Sequence, residues 1–190
     1  GALAPADAQE ACTPGPNALG TSRVAEIDTG AGPRFGFQYK EQSILADGEV
    51  VLTFDDGPLR AYTKPVLEAL AAHCTKATFF VVGRMAVADP EMVREYARLG
   101  HTIGIHTWSH ANLHAITPLT ARSEIELGFS AVQQALGKPV APFFRFPYLA
   151  DSKPMTTHLQ ERHVGIFSID VDSKDFRTRD PGNVHRKVMS

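Results

Sequence analysis

Two adjacent carboxylates, Asp55 and Asp56, end an apolar run of strand type, Val50-Val51-Leu52-Thr53-Phe54, and precede a Gly57-Pro58 breaker. Neighbouring acids repel unless one binds a cation or the two differ in role. Such a run suits a buried parallel strand whose end presents both acids. A solvated Asp-Gly turn after an edge strand explains the same residues. Farther on, His106-Thr107-Trp108-Ser109-His110 sets two imidazoles four residues apart, a spacing at which both can reach one metal ion. With eight histidines in 190 residues, roughly 0.3 such pairs arise by chance, so the pair alone is weak. A carboxylate from another strand end would make a His₂–carboxylate set with one open position, the catalytic zinc arrangement. His73, His101 and His114 lack such company and read as surface or supporting residues.

The elements that must position these groups follow from periodicity. After the first strand at 50–54, a helix is expected over 63–73, with Thr63 as N-cap and Val66, Leu67, Leu70 and Ala71 on one face. A strand over 77–82 stops at Gly83. Asp89-Pro90-Glu91 combines an N-cap, a proline at N1 and an acid in the first turn, and Gly100 closes that helix. A third strand spans 101–106. Thr117-Pro118 opens a longer helix whose buried stripe is Leu119, Ile125, Phe129, Val132 and Leu136, ended by Gly137. A short strand near 143–146, a helix near 152–162 and a strand over 164–169 come next. Asp180-Pro181 starts a last helix, with Val184 and Val188 on its apolar side. Repeated strand–helix–strand units imply an α/β domain with a parallel sheet, closed or open. Ligands then bind at the C-terminal strand ends. Polar residues do cluster there: Asp55 and Asp56, His106 and His110, Arg145 with Tyr148, then Asp170, Asp172 and Asp175.

Composition narrows the rest. A net charge of −2 gives no electrostatic case for nucleic acid or an anionic membrane as partner. No apolar run reaches ~18 residues, so no membrane span is expected. Residues 1–45 are dense in Gly and Pro, which forbids long helices. They read as an extended arm wrapping the domain at 46–190, with one short strand at 23–27. The Ala/Pro-rich start, with Ala6-Asp7-Ala8, resembles an export cleavage site, and an exported protein is expected; an artificial start gives the same residues. Cys12 and Cys74 then form a disulfide pinning the arm, or are two unrelated thiols. A monomer is expected.

Thr53-Phe54-Asp55-Asp56-Gly57-Pro58, His106-Thr107-Trp108-Ser109-His110, Arg145-Phe146-Pro147-Tyr148 and Asp172-Ser173-Lys174-Asp175-Phe176 resemble, in order and spacing, the first four motifs of the polysaccharide deacetylase family. This is the family with the NodB-like, carbohydrate esterase family 4 domain. The resemblance implies a distorted, partly open (β/α)7 barrel. It implies metal-dependent removal of N-acetyl or O-acetyl groups from a carbohydrate. Asp55 corresponds to the general base. Asp56, His106 and His110 correspond to the ligands of a divalent ion, zinc being the usual first choice. That ion would acidify water and polarise the acetyl carbonyl. The backbone N–H of Tyr148 corresponds to the oxyanion donor, and Arg145 to the arginine that orients the catalytic Asp. Trp108, Tyr148 and Phe176 are candidates for apolar walls, with plain core packing equally open for Trp108. The substrate is expected to be an acetylated glycan: chitin oligomer, peptidoglycan or xylan.

Two departures bear on this. Phe176 stands where the family usually has Trp. The fifth motif, a Leu-x-His whose His acts as general acid and which Asp175 would support, is absent from this sequence. His185 falls on the last helix, away from a strand end. The expectation is a domain incomplete at its C-terminal end that binds metal and turns over poorly. A non-catalytic carbohydrate-binding relative and a hydrolase of a non-glycan amide are the competing readings.

Overall fold

The computed structural model describes residues 12–39 and 44–190, so Ala6-Asp7-Ala8 lies outside the described residues. Its strands are β1 (Arg34–Phe35), β2 (Thr53–Asp55), β3 (Thr78–Val81), β4 (Thr102–Ile105), β5 (Phe143–Phe144) and β6 (Gly165–Phe167). They form one parallel sheet in the order β1-β6-β5-β4-β3-β2, curled into a half-barrel. The α-helices among the described residues are α1 (Arg60–Ala72), α2 (Gly83–Ala88), α3 (Pro90–Arg98), α4 (Pro118–Leu136), α5 (Lys153–Glu161) and α6 (Pro181–Met189). The expected α/β barrel class is therefore correct, and the described residues supply six strands.

The core sits where the hydrophobic patterns meet. Phe79, Val81, Ile103 and Ile105 of β3 and β4 pack with Met92, Val93 and Tyr96 of α3 and Ile125, Val132 and Leu136 of α4. Tyr96 stacks on Phe79 with ring centroids 4.1 Å apart. Two helix starts follow their sequence signals closely. The Asp89 side chain accepts from Met92 N–H at α3, and the Thr117 side chain accepts from Thr120 N–H at α4. Gly137 caps α4 in the left-handed conformation, φ +76°.

Several expected boundaries move. The first strand is only Thr53–Asp55, and Val50 and Val51 are 82% and 53% exposed. The reason is topological: β2 is an edge strand, with β3 as its single ladder partner. The strand expected at 23–27 does not form; Arg23 instead chelates Glu49 at 2.6 Å. The arm's strand is β1, paired with β6 in register Arg34↔Ile166. Just beyond it Gly36 has φ +101°, and a Cβ there would meet Ser168 at 2.8 Å, so only glycine lets the arm approach this closely. Helix α1 begins at Arg60, and Thr63 lies inside it, its hydroxyl accepting from Leu59 N–H at 3.1 Å. Gly83 opens α2 rather than merely ending β3, because its N–H finds the Thr107 carbonyl at 2.9 Å. Leu119, expected in the buried stripe of α4, is 77% exposed.

His101 is a core residue rather than a surface one. Its Nδ1 accepts from Ala77 N–H at 3.2 Å, and its ring meets Phe79 edge-on. Cys12 and Cys74 are bridged, with Cα atoms 5.6 Å apart. Among the described residues no helix is long and apolar enough to cross a membrane.

Two outcomes follow. The bridge closes a loop with a sequence separation of 62, so Cys12→Ser/Cys74→Ser lowers the unfolding free energy by roughly 2–4 kcal/mol in urea titrations; an unchanged midpoint refutes this. Burial, aided by Lys76, holds the His101 imidazole down at about 4, against 6.5 in the unfolded chain. Below pH 6.5 the unfolded chain takes up a proton that the folded one refuses. His101 thus makes stability fall as pH drops from about 6.5 towards 4. Urea titrations of wild type and His101→Gln across that window show a smaller fall in the variant; identical falls would sink the assignment.

Candidate active site

All strands run parallel, so their C-terminal ends share one face of the sheet, and the motif residues leave from those ends. Asp55 is the last residue of β2. The next residue, Asp56, has φ +69°, and Gly57 N–H returns to the Asp55 carbonyl at 2.9 Å. This tight three-residue turn is a strained conformation for a non-glycine residue. Gly57 is required by close approach: a Cβ there would meet the Tyr96 hydroxyl at 2.9 Å.

The histidine pair leaves β4. His106 is buried and His110 half-buried. The backbone between them is bent twice through the left-handed region, at Thr107 (φ +67°) and His110 (φ +62°). The Thr107 hydroxyl accepts from His110 N–H at 2.9 Å, closing the loop on itself. His106 Nδ1 lies 2.8 Å from the Arg145 carbonyl. A carbonyl only accepts, so Nδ1 carries the proton and Nε2 presents its lone pair. Burial pushes the His106 pKa below the usual imidazole range, against the pull of Asp55, which favours that neutral form.

Arg145 follows β5 and is 2% exposed. Its Nη1 donates to Asp55 Oδ1 at 2.7 Å and to Thr53 Oγ1 at 2.8 Å. Nη2 donates to the Ser168 carbonyl at 2.8 Å and Nε to that of Phe167 at 3.2 Å. The guanidinium lies over the Phe80 ring at 4.2 Å.

Asp56, His106 and His110 present ligand atoms within 4.8 Å of one another. Asp56 Oδ1 is 3.4 Å from His106 Nε2 and 3.2 Å from His110 Nε2. Two donors about 2.1 Å from a tetrahedral ion stand about 3.4 Å apart. Both carboxylate–imidazole spacings thus match that distance, and the three residues fit a divalent cation. Asp55 Oδ2 stands beside them, 3.9 Å from His106 Nε2.

Residues 43–164 match the family profile described as polysaccharide deacetylase. The chain belongs to the polysaccharide deacetylase family. It is 33% identical over 141 residues to a peptidoglycan N-acetylglucosamine deacetylase of Listeria monocytogenes, covering 74% of this chain and 29% of that protein. It is 33% identical over 144 residues to a chitooligosaccharide deacetylase of Azorhizobium caulinodans, covering 74% and 67%. A peptidoglycan deacetylase structure from Bdellovibrio bacteriovorus superposes with a TM-score of 0.77 at 33% identity, over 87% of this chain and 45% of that one. The chain thus spans under a third of the Listeria relative's length.

In this family member the remaining motif residues divide into near and far. Tyr148 sits at φ +60° in the 3₁₀ turn Pro147–Leu149, and its ring meets His110 edge-on, 4.7 Å between centroids. Asp175 lies in the exposed 3₁₀ turn Asp175–Arg177 and accepts from the Ser173 hydroxyl at 3.0 Å; no hydrogen bond or ion pair joins it to the triad among the described residues. Phe176 is 74% exposed. Trp108 packs against Gly83, where a Cβ would meet its ring at 2.8 Å, so it serves as packing behind the histidine loop.

Sequence reading passed over the residues that hold this arrangement. Thr53, Ser168 and Phe80 surround Arg145. Glu124 of α4 accepts from both the Ser109 N–H and its hydroxyl at 2.8 Å, and its carbonyl accepts from Trp108 N–H at 2.9 Å. Gly128, one turn on, lets α4 lie against Thr107, where a Cβ would meet backbone at 2.8 Å. A Glu among polar neighbours on a helix gives no such signal by itself. Glu124→Ala should weaken Zn²⁺ affinity about 10–100-fold in calorimetric titration, as loss of an outer support does elsewhere, with Glu124→Gln intermediate. Unchanged affinity in Glu124→Ala would show that the loop holds its shape without it.

Proposed function

We propose that this domain is a metal-dependent deacetylase that removes N-acetyl groups from N-acetylglucosamine units of a glycan. The observation that carries this reading is the Asp56–His106–His110 triad set beside a second carboxylate, Asp55, gripped by a buried arginine. The Listeria relative is named for peptidoglycan and the Azorhizobium one for chitooligosaccharides, which supports an acetylated amino-sugar glycan as the substrate. The Cys12–Cys74 bridge supports action outside the reducing cytosol.

Bound at Asp56, His106 and His110, a divalent ion, with zinc the first choice for this donor set, supplies Lewis acidity toward the acetyl carbonyl and acidifies water. Asp55 is assigned as the general base, taking a proton from the water that attacks the acetyl carbon. Arg145 fixes the Asp55 carboxylate from behind, leaving Oδ2 turned toward the triad. The Tyr148 N–H is assigned as a donor to the tetrahedral oxygen, and the Tyr148 ring, 66% exposed, as a surface for the sugar. Collapse then breaks the C–N bond and, with the proton taken by Asp55 returned to the nitrogen, releases acetate and a free amine. Asp175 is assigned a supporting role in that protonation.

Acetate release from N-acetylglucosamine oligomers, peptidoglycan and acetylated xylan, measured with metal content, tests the reading. Asp55→Asn should cut turnover at least about 100-fold while keeping the metal. Asp56→Asn should lose metal. The opposite pattern reverses the two roles, and a metal-loaded wild type silent on all three polymers overturns the proposal in favour of a binding relative.

A further inference from the structure

The N-terminal arm crosses the site face of the sheet just beyond β1, ahead of the segment that the family profile matches. Phe37 N–H donates to the Ile169 carbonyl at 3.0 Å, and Ser168 N–H to that of Phe35 at 2.7 Å, so the arm is stitched to the end of β6. Gln38 comes next. Its Nε2 donates to the Leu149 carbonyl at 2.7 Å, and its Oε1 accepts from the Ser168 hydroxyl. The Leu149 carbonyl can only accept, so the amide has one orientation that satisfies both contacts. Both contacts reach groups next to the chemistry. Ser168 is buried, and its carbonyl receives Arg145 Nη2, whose partner Nη1 holds Asp55. Leu149 follows Tyr148, and these two consecutive non-glycine residues are left-handed, φ +60° and +53°. Such a pair persists only where its surroundings hold it. Within the turn, Leu149 N–H reaches the Phe146 carbonyl and Ala150 N–H that of Pro147, both at 3.1 Å. Gln38 braces it from outside, and the Tyr39 hydroxyl contacts Asp151 Oδ2 at 3.4 Å.

We propose that Gln38 is a positioning residue, an amide latch by which the arm ties the Tyr148–Leu149 turn to Ser168 and so to the Arg145–Asp55 pair. It touches no reacting atom. For catalysis the inference rests on the deacetylase reading above, because the latch matters to turnover only if Tyr148 and Asp55 act as assigned there. Its geometric content does not depend on that reading. Glutamate is the discriminating substitution. It keeps the length and an acceptor for Ser168 but cannot donate to Leu149, and it sets a carboxylate oxygen against a carbonyl. Methionine keeps the length and makes neither bond.

The test compares the full chain with Gln38→Glu and Gln38→Met by amide hydrogen exchange, Zn²⁺ titration and acetate release. Exchange at Leu149 and Ala150 should rise about tenfold or more in both variants. Melting temperature should stay within a few degrees and Zn²⁺ affinity within about twofold, since the side chain is exposed and its amide bonds Leu149 and Ser168 rather than Asp56, His106 or His110. Where the wild type turns over, kcat should fall about tenfold or more with KM nearly unchanged, the mark of misplacement rather than lost binding. Wild-type exchange at 149–150 in both variants overturns the latch. Faster exchange in a protein whose wild type releases no acetate supports the latch and removes the deacetylase reading instead. Faster exchange with unchanged kcat overturns the positioning role.

Discussion

The ion pair between Arg145 and Asp55 is the contact on which the rest of the site depends. A guanidinium that is 2% exposed carries a desolvation cost that only full satisfaction of its donors offsets. Here the donors reach Asp55 and Thr53 from β2 and the carbonyls of Phe167 and Ser168 from the end of β6. The Arg145 carbonyl in turn fixes the His106 tautomer. One residue after β5 thereby joins strand ends that are not neighbours in the sheet. Asp55 and the Asp56–His106–His110 cluster thus share a support, and the edge strand that ends in Asp55 is held by more than its single ladder.

How much of this was legible in the sequence depends on the range of the signal. Local chemistry was read well: Asp89-Pro90 and Thr117-Pro118 start helices because side-chain caps act within three residues. The strand-end rule alone brings Asp55, Asp56, His106, His110 and Arg145 to one face. Edge position could not be read that way, so Val50 and Val51 looked like buried strand and are exposed. The arm's strand was misplaced because pairing of β1 with β6 joins residues more than 130 positions apart. The supports from Glu124, Ser168 and Gln38 were illegible too: Glu124 and Gln38 reach backbone groups of distant residues and Ser168 acts through its own carbonyl, and a backbone group carries no residue-type signature.

Backbone strain marks the same places. Asp56, Thr107, His110, Tyr148 and Leu149 all adopt positive φ, and each lies within the motif loops. None is glycine, so each conformation costs energy that neighbouring contacts must offset. Those contacts come from Tyr96 behind Gly57, from α4 and α2 around the histidine loop, and from Gln38 at the turn after Tyr148. Loops this irregular stay ordered because rigid elements surround them.

The Cys12–Cys74 bridge has a topological effect distinct from its energy. It makes residues 12–74 a covalent ring, and that ring contains β1, β2 and both acids of the Asp55-Asp56 turn. A single backbone cleavage anywhere inside it leaves two pieces still joined through sulfur. A protease cutting at the exposed residues 46–48 would nick the molecule without releasing the N-terminal piece, which carries β1.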